Sequence, residues 1–526
     1  MPTLPFQADS IADLFVRRLG KTPDLVAVSI EGEEATYGEV ASLEERIRAA
    51  FLHHGIVTGD RVASVTANRI EQYALMIACA MSGVVWCPLN SGLSVDDLAR
   101  TIDLVQPVAV LAESSAADKL ASAGTPGINV IGFSHHTGSD FVSFEDWIDI
   151  PGSGTPPRYT LRQSDPFCMI FSGGTTGLPK GILLPAFAPV AGGFRLNEAL
   201  QPTQTEVCFS TTQLFHAFAV CGWAPFCIAF GHQYVLAPTW SSSRYAEWVR
   251  QSGATVIDPF VSMMGMLLNA HRDEAPQVLG PRVAISGLGG ADPVATRIRR
   301  EFETQFGVPL LDTYGSAEAG PTVTRHHVGE EYGPGSSGTS KGWYSIAIVD
   351  DQDRELPNGE VGEITIRPEL PNISSLGYWR QERETLATRR NLWIHTGDLG
   401  WLKPNGELYF VGRQGHFIRR RGEMISAAEI EHVIRELDGV VDVVVVAVPS
   451  ELGEDDIMAC VVADVDAEAI YRWCADKITS FKVPRYISMV NAIPRKPPKQ
   501  EPDRAGLAAN EIGRAWDSQS DAGSRR

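Results

Sequence analysis

Positive charge is in short supply: 45 Lys and Arg stand against 64 Asp and Glu, a formal charge of −19. That deficit excludes nucleic acid or an anionic membrane surface as the main partner, so any polyphosphate has to be held by local groups. No apolar stretch approaches the roughly 20 residues of a membrane-spanning helix, and Met1–Ser10 lacks a basic segment followed by an apolar one. No membrane span and a cytoplasmic location are therefore expected. The eight cysteines, at positions 79, 87, 168, 208, 221, 227, 460 and 474, form no Cys-x-x-Cys pair and have no His cluster nearby. A zinc site or disulfide framework is thereby disfavoured, leaving buried thiols. Also missing is the common strand-loop-helix phosphate loop, which needs Gly-Lys followed directly by Ser or Thr, whereas Lys180 is followed by Gly181.

What is present is ordinary globular material, 44% hydrophobic and 21% charged, over 526 residues. That length exceeds one compact core and calls for at least two domains. Helical periodicity over Ile11–Leu19, Glu39–Gly55 and Ile70–Gly83 alternates with strand-like runs at Ala27–Ile30, Arg61–Val65, Val84–Leu89 and Val108–Leu111. Alternation of this kind predicts an α/β fold with helix-covered parallel or mixed sheets. Ala508–Arg526 is polar and weakly patterned, which predicts a frayed tail.

Between the strand-like Phe167–Phe171 and Ile182–Leu184 lies Ser172-Gly173-Gly174-Thr175-Thr176-Gly177-Leu178-Pro179-Lys180-Gly181. Its glycines let backbone amides approach a polyanion, Thr175 and Thr176 add hydroxyls, and Lys180 adds charge. Taken alone, such a stretch reads better as a flexible surface loop. Other segments stand out more weakly. Thr211–Ala217 contains Phe215 and His216, followed by apolar Gly222, Trp223 and onward to Phe230; Ala284–Ala291 contains Ser286, Gly287, Gly289 and Gly290. Asp312-Thr313-Tyr314-Gly315-Ser316-Ala317-Glu318 and Trp393–Gly400, with Asp398, complete the set. Singly, each has a bland reading: a packing histidine, an exposed tyrosine, a solvated carboxylate.

Taken together, these segments resemble the adenylate-forming superfamily of acyl-CoA synthetases, luciferases and peptide-synthetase adenylation domains, over about Thr36 to Pro498. The resemblance implies ATP, Mg2+ and, as probable co-substrate, CoA. It implies a triphosphate cradled by Ser172–Gly177 and Lys180, and adenine lying along Gly289, Gly290 and Ala291 and over Asp312–Ser316 with Tyr314 beneath it. It also implies magnesium on Thr176 and Glu318, and ribose on Asp398 with Arg413 as a second contact. The acid pocket falls to Phe215, His216, Gly222, Trp223, Ser286, Gly287, Gly290 and Ser316, with His216 as its wall and gate.

The implied organisation is an adenylating domain over 1–412, a hinge at 413–416, a small mobile α+β domain over 417–507 and the tail 508–526. Gln414–Glu431, with its three successive arginines, is most similar to crotonobetaine and carnitine CoA ligases. The family's hinge position, usually Asp or Lys, is His416. Near the C-terminus the family carries a lysine that bridges the carboxylate and the α-phosphate. Aligned from Pro494 that position is Gln500, aligned from Arg504 and Leu507 it is Glu501, and Lys499 stands one place early. The catalytic set expected is Lys499, Thr176, Glu318 and His216. The expected activity is AMP-forming ligation of a small or aryl acid to CoA. Two rivals are AMP activation of another oxyanion, such as nitrite for diazotisation of an aryl amine, and a catalytically weak nucleotide-binding homologue. Monomer and homodimer are equally compatible with the sequence.

Overall fold

The computed structural model describes residues 6–122, 129–133, 141–150, 156–173, 179–272, 274–287, 290, 293–413, 417–420, 423–449, 455–478, 482–496 and 501–520. The expected α/β architecture is found, a large domain followed by a small one. Helix ends are set by local chemistry: Ser10 and Thr36 each form a capping box, with Asp13 and Glu39, at the starts of Ile11–Leu19 and Tyr37–His53. Gly83 closes Ile70–Ser82 in the left-handed conformation, φ +65°.

Two eight-stranded sheets form the body of the large domain among the described residues. One runs, edge to edge, Gly320–Arg325, Leu310–Ser316, Val283–Ser286, Val256–Ile257, Val207–Ser210, Gln233–Leu236, Val26–Ile30 and Glu33–Thr36. The other runs Gly377–Tyr378, Pro179–Pro185, Pro166–Gly173, Val85–Leu89, Arg61–Val65, Ala109–Ala112, Asn129–Gly132 and Val142–Ser143. Their central strands are parallel and buried on both faces, which is why they read as continuous apolar runs. A four-stranded antiparallel sheet, Tyr344–Val349, Gly362–Pro368, Ile394–Leu402 and Leu408–Arg413, completes the domain.

The apolar helix Phe187–Leu200 packs so closely on Ala219–Trp223 that Gly192 has no room for a side chain; a Cβ there would lie 1.5 Å from the Cys221 carbonyl oxygen. Ala219–Trp223 is a π-helical turn, a wide geometry often found at functional sites.

In the small domain, Val440–Pro449 and Asp455–Ala463 pair antiparallel and Tyr486–Met489 joins parallel. The tail expected to fray from Ala508 is instead ordered through residue 520. The Arg504–Glu511 helix buries Leu507, and Trp516–Asp517 adds an edge strand against Tyr486–Ile487. Arg485 anchors it, bonding both carboxylate oxygens of Asp517 at 3.1 and 3.2 Å and Asp456 at 3.0 Å. These pairings cross some thirty residues of sequence, and helical or strand periodicity does not record them.

Candidate active site

The glycine-rich segment tops an antiparallel hairpin in which Ser172 faces Lys180 and Gly173 faces Pro179. Gly174, Thr175, Thr176 and Gly177 lie outside the described residues. Across the sheet edge, Gly377–Tyr378 pairs with Leu183 and Ile182, placing the Tyr378 ring 5.2 Å from the Lys180 Nζ. The Tyr378 hydroxyl donates to Glu318 Oε1 at 3.0 Å. Lys180, Tyr378 and Glu318 therefore form one chain of contacts from the hairpin to Glu318, just past the Leu310–Ser316 strand. Tyr378 was not among the sequence candidates; the aromatic pair Tyr378-Trp379 after Gly377 was the available signal.

A second junction joins Tyr314 and Asp398. The Tyr314 hydroxyl donates to Asp398 Oδ2 at 2.8 Å, and both residues are buried. Asp398 is held by strand pairing with Arg413 and by its own N–H, which donates to the Thr396 hydroxyl at 3.0 Å. The Tyr314 ring stacks at 5.6 Å on Phe410. Gly290, φ +55°, lies against that same strand: a Cβ would stand 2.5 Å from the Phe410 carbonyl oxygen, so only glycine fits. Arg299, which sequence reasoning also missed, donates to the Gly290 carbonyl at 3.2 Å and approaches Asp312 Oδ2 at 3.5 Å, tying the two loops together. Gly289 and Ala291 lie outside the described residues. Thr313 is fixed by its hydroxyl on the Thr324 carbonyl, and Gly315 passes so near Gly320 that a Cβ would lie 2.2 Å from its carbonyl oxygen.

A small cavity lies beside these segments, lined among others by Ala217, Cys221, Ala317, Gly320 and Ser375. Of the expected pocket residues, His216, Gly222 and Ser316 are next in sequence to this lining, whereas Ser286, Gly287 and Gly290 are not. His216 adjoins Ala217, packs beside Phe215 at 4.7 Å between ring centroids, and stands 6.4 Å from Phe260. Gly222 faces Phe218 and Leu196, and Trp223 is buried in the core. Ser316 accepts from the Ala319 N–H, while Gly287 sits beside the Thr313 carbonyl. The cavity wall reaches Glu318 directly, since the Ser375 N–H donates to the Glu318 carbonyl at 2.8 Å.

These residues fit a magnesium nucleotide. Ser286 Oγ, at the end of the Val283–Ser286 strand, is buried with no partner among the described residues. Glu318 supplies one hard oxygen, as suits an ion that takes its other ligands from phosphate and water. Among the described residues there is no cluster of three or more His, Cys, Asp or Glu that would make a dedicated cage.

A family model for AMP-binding enzymes matches residues 15–379, more than half of the sequence. The chain belongs to the AMP-binding enzyme family. The C-terminal domain model of the same family matches residues 429–498. Among curated relatives, indoleacetate–CoA ligase of Aromatoleum aromaticum is 25% identical over 491 residues, covering 91% of this chain and 94% of its own. Crotonobetaine/carnitine–CoA ligase of Citrobacter koseri is 26% identical, covering 93% and 95%. Of solved structures, the anthranilate CoA ligase AuaEII with anthranoyl-AMP superposes at a TM-score of 0.83 with 21% identity over 97% of this chain and 98% of that one. ATP-bound MatB from Rhodopseudomonas palustris gives 0.80 with 23% identity over 95% and 98%. This AMP-binding enzyme thus has the two-domain fold and the adenylate-forming kinship that its motifs implied. Its hinge residue His416 and its terminal Lys499 and Gln500 lie outside the described residues.

Proposed function

We propose that this enzyme activates a small or aryl carboxylic acid with ATP and transfers the acyl group to the thiol of CoA. The observation that carries the reading is the clasp between Tyr314 and Asp398, which joins the strand assigned to adenine to the strand assigned to ribose. In this reading a carboxylate oxygen attacks the α-phosphorus and pyrophosphate leaves. The CoA thiolate then attacks the carbonyl carbon of the mixed anhydride and AMP leaves. Lys180 sets a positive charge beside the departing phosphates, and Asp398 accepts from the ribose hydroxyls with Arg413 as second contact. Glu318 and Thr176 would hold Mg2+, which when bound neutralises phosphate charge. His216 stands at the mouth of the acid pocket, and Lys499 reaches the developing charge at the α-phosphate.

The organisation that goes with it is the adenylating domain 1–412, the hinge 413–416 and the mobile domain 417–507. No helix among the described residues is long and apolar enough to cross a membrane. All eight cysteines are free and buried, which supports a cytoplasmic location. The relatives named above are acid–CoA ligases and give nitrite activation or a silent nucleotide-binding role no support. The deciding experiment measures pyrophosphate and acyl-CoA across an acid panel with ATP, Mg2+ and CoA. Acid-dependent pyrophosphate with stoichiometric thioester is expected. Turnover only with nitrite and an aryl amine would overturn the reading.

A further inference from the structure

Lys180 and Glu318 carry opposite charge and are assigned to one site, the first to the phosphates and the second to Mg2+. Two such side chains tend to pair with each other, and the pair must break before either meets the nucleotide. Among the described residues no ion pair joins them, and Tyr378 touches both instead. Its ring lies 5.2 Å from Lys180 Nζ, and its hydroxyl donates to Glu318 Oε1 at 3.0 Å. An aromatic face attracts a cation without neutralising it. A phenol hydroxyl uses one of a carboxylate's roughly four lone-pair sites and leaves the rest for a metal ion.

Tyr378 is itself held on both flanks. On the hairpin side, Gly377–Tyr378 pairs antiparallel with Leu183 and Ile182. The Trp379 N–H donates to the Gly181 carbonyl at 2.7 Å and Gln381 Nε2 to the Pro179 carbonyl at 3.2 Å, so the two bonds bracket Lys180. On the other side, the Ser375 N–H donates to the Glu318 carbonyl at 2.8 Å, and the Ser374 hydroxyl donates to the Ala319 carbonyl at 2.8 Å. Residues 374–381 are thus bonded to the backbone at both charged groups. The Thr385 hydroxyl, from the helix Glu382–Thr388, accepts from the Tyr378 N–H at 2.9 Å. Gly377, at φ +124°, lets this helix close in: a Cβ there would lie 2.6 Å from Thr385 Cγ2. A side chain fixed in this way has little freedom left to lose when a ligand arrives.

We infer that Tyr378 is a positioning residue of the phosphate site, aiming the Glu318 carboxylate at Mg2+ and keeping it from Lys180. The inference rests on the ligase reading, which assigns Glu318 and Lys180, and adds the residue that orients them. Outer partners of metal-ligating side chains fix ligand orientation, and their loss typically lowers metal affinity by about 10- to 100-fold.

The test measures ATP binding to the full chain by calorimetry, with Mg2+ and with EDTA in its place. In wild type, Mg2+ is expected to tighten ATP binding. Tyr378→Phe keeps the ring at Lys180 and removes the donor to Glu318. It is expected to weaken binding about tenfold with Mg2+ and to leave it within about twofold without. Added to Glu318→Gln, the same substitution is expected to bring no further loss, since both act through one carboxylate. Thr385→Val, which removes only the anchor of the Tyr378 N–H, is expected to give the same split at about threefold. It decides in place of Tyr378→Phe should that variant not fold. Equal losses with and without Mg2+, or no loss with Mg2+, would overturn the inference and leave the ligase reading standing. Wild-type binding indifferent to Mg2+ would overturn it as well. No ATP binding by wild type in either condition would remove both.

Discussion

Tyr314 and Asp398, 84 positions apart in sequence, meet through one hydrogen bond of 2.8 Å. A bond from a neutral donor to a carboxylate is worth about 1.5–3 kcal/mol net, so Tyr314→Phe is expected to raise the KM for ATP roughly tenfold or more while the enzyme stays folded. Acid-dependent ATP–pyrophosphate exchange reads this directly; an unchanged KM would mean that the clasp does not serve the nucleotide. Asp258 is a residue of another kind, fully buried and outside the site. The Ser210 and Thr212 hydroxyls donate to its Oδ2 at 2.7 and 2.9 Å, but desolvation outweighs them and pushes its carboxyl up to about 7. In the window between about pH 4 and 7 the folded chain keeps this proton and the unfolded chain loses it, so this group's contribution makes stability fall as pH rises. Above pH 7 the penalty is complete and of the order of a few kcal/mol. Asp258→Asn, which stays neutral, is expected to gain in Tm over wild type between pH 5 and 8 and to show no gain near pH 4. A gain independent of pH would show that the carboxyl does not titrate there.

At the scale of elements, the close approach of the Phe187–Leu200 helix to Ala219–Trp223 sets the cavity wall, because Cys221 lines the cavity from that turn. Gly192→Ala would place a methyl 1.5 Å from the Cys221 carbonyl, so the two segments must separate. The expected loss is about 3 kcal/mol or more, the upper range for overpacking, with a lower Tm and a raised KM for the acid. Preserved Tm with preserved KM would contradict the contact. This pair of segments also marks where sequence reasoning stopped. Arg61–Val65, Ile70–Ser82 and Val85–Leu89 were legible because each buried run or helical period is long and ends at recognisable punctuation, such as Gly83. Tyr378 sits in a two-residue strand, too short to carry a period, and its role arises only when that strand pairs with Ile182 and Leu183. Arg195 is a single cation inside an apolar helix. Its environment comes from Trp343 and Tyr344, nearly 150 positions away. The nucleotide loops were legible through family likeness, not through periodicity.

At the scale of the whole molecule, the candidate site lies in the large domain, and Lys499, proposed to complete it, belongs to the small one. The strands Arg495–Lys496 and Glu501–Pro502 pair antiparallel, Arg495 with Pro502 and Lys496 with Glu501, and residues 497–500 connect them. The other cations of this segment are already engaged: Arg495 with Asp442 at 2.6 Å, Lys496 with Asp503 at 2.8 Å and Arg504 with Glu431 at 2.7 Å. Lys499 falls between these two strands in sequence, outside the described residues. A positive charge placed on a transition state typically contributes about 3–4 kcal/mol, or roughly 100- to 1000-fold in rate. Lys499→Ala is therefore expected to depress ATP–pyrophosphate exchange by that factor. Thioester formation from a synthetic acyl-adenylate, which involves no attack at the α-phosphorus, should remain close to wild type. The same variant with Gln500→Lys tests register: if the lysine's place in the strand connection is what matters, moving it one position restores exchange. Exchange untouched by Lys499→Ala would show that the small domain does not supply the charge through this connection, and would shift the search to the large domain's own cations, Lys180 first.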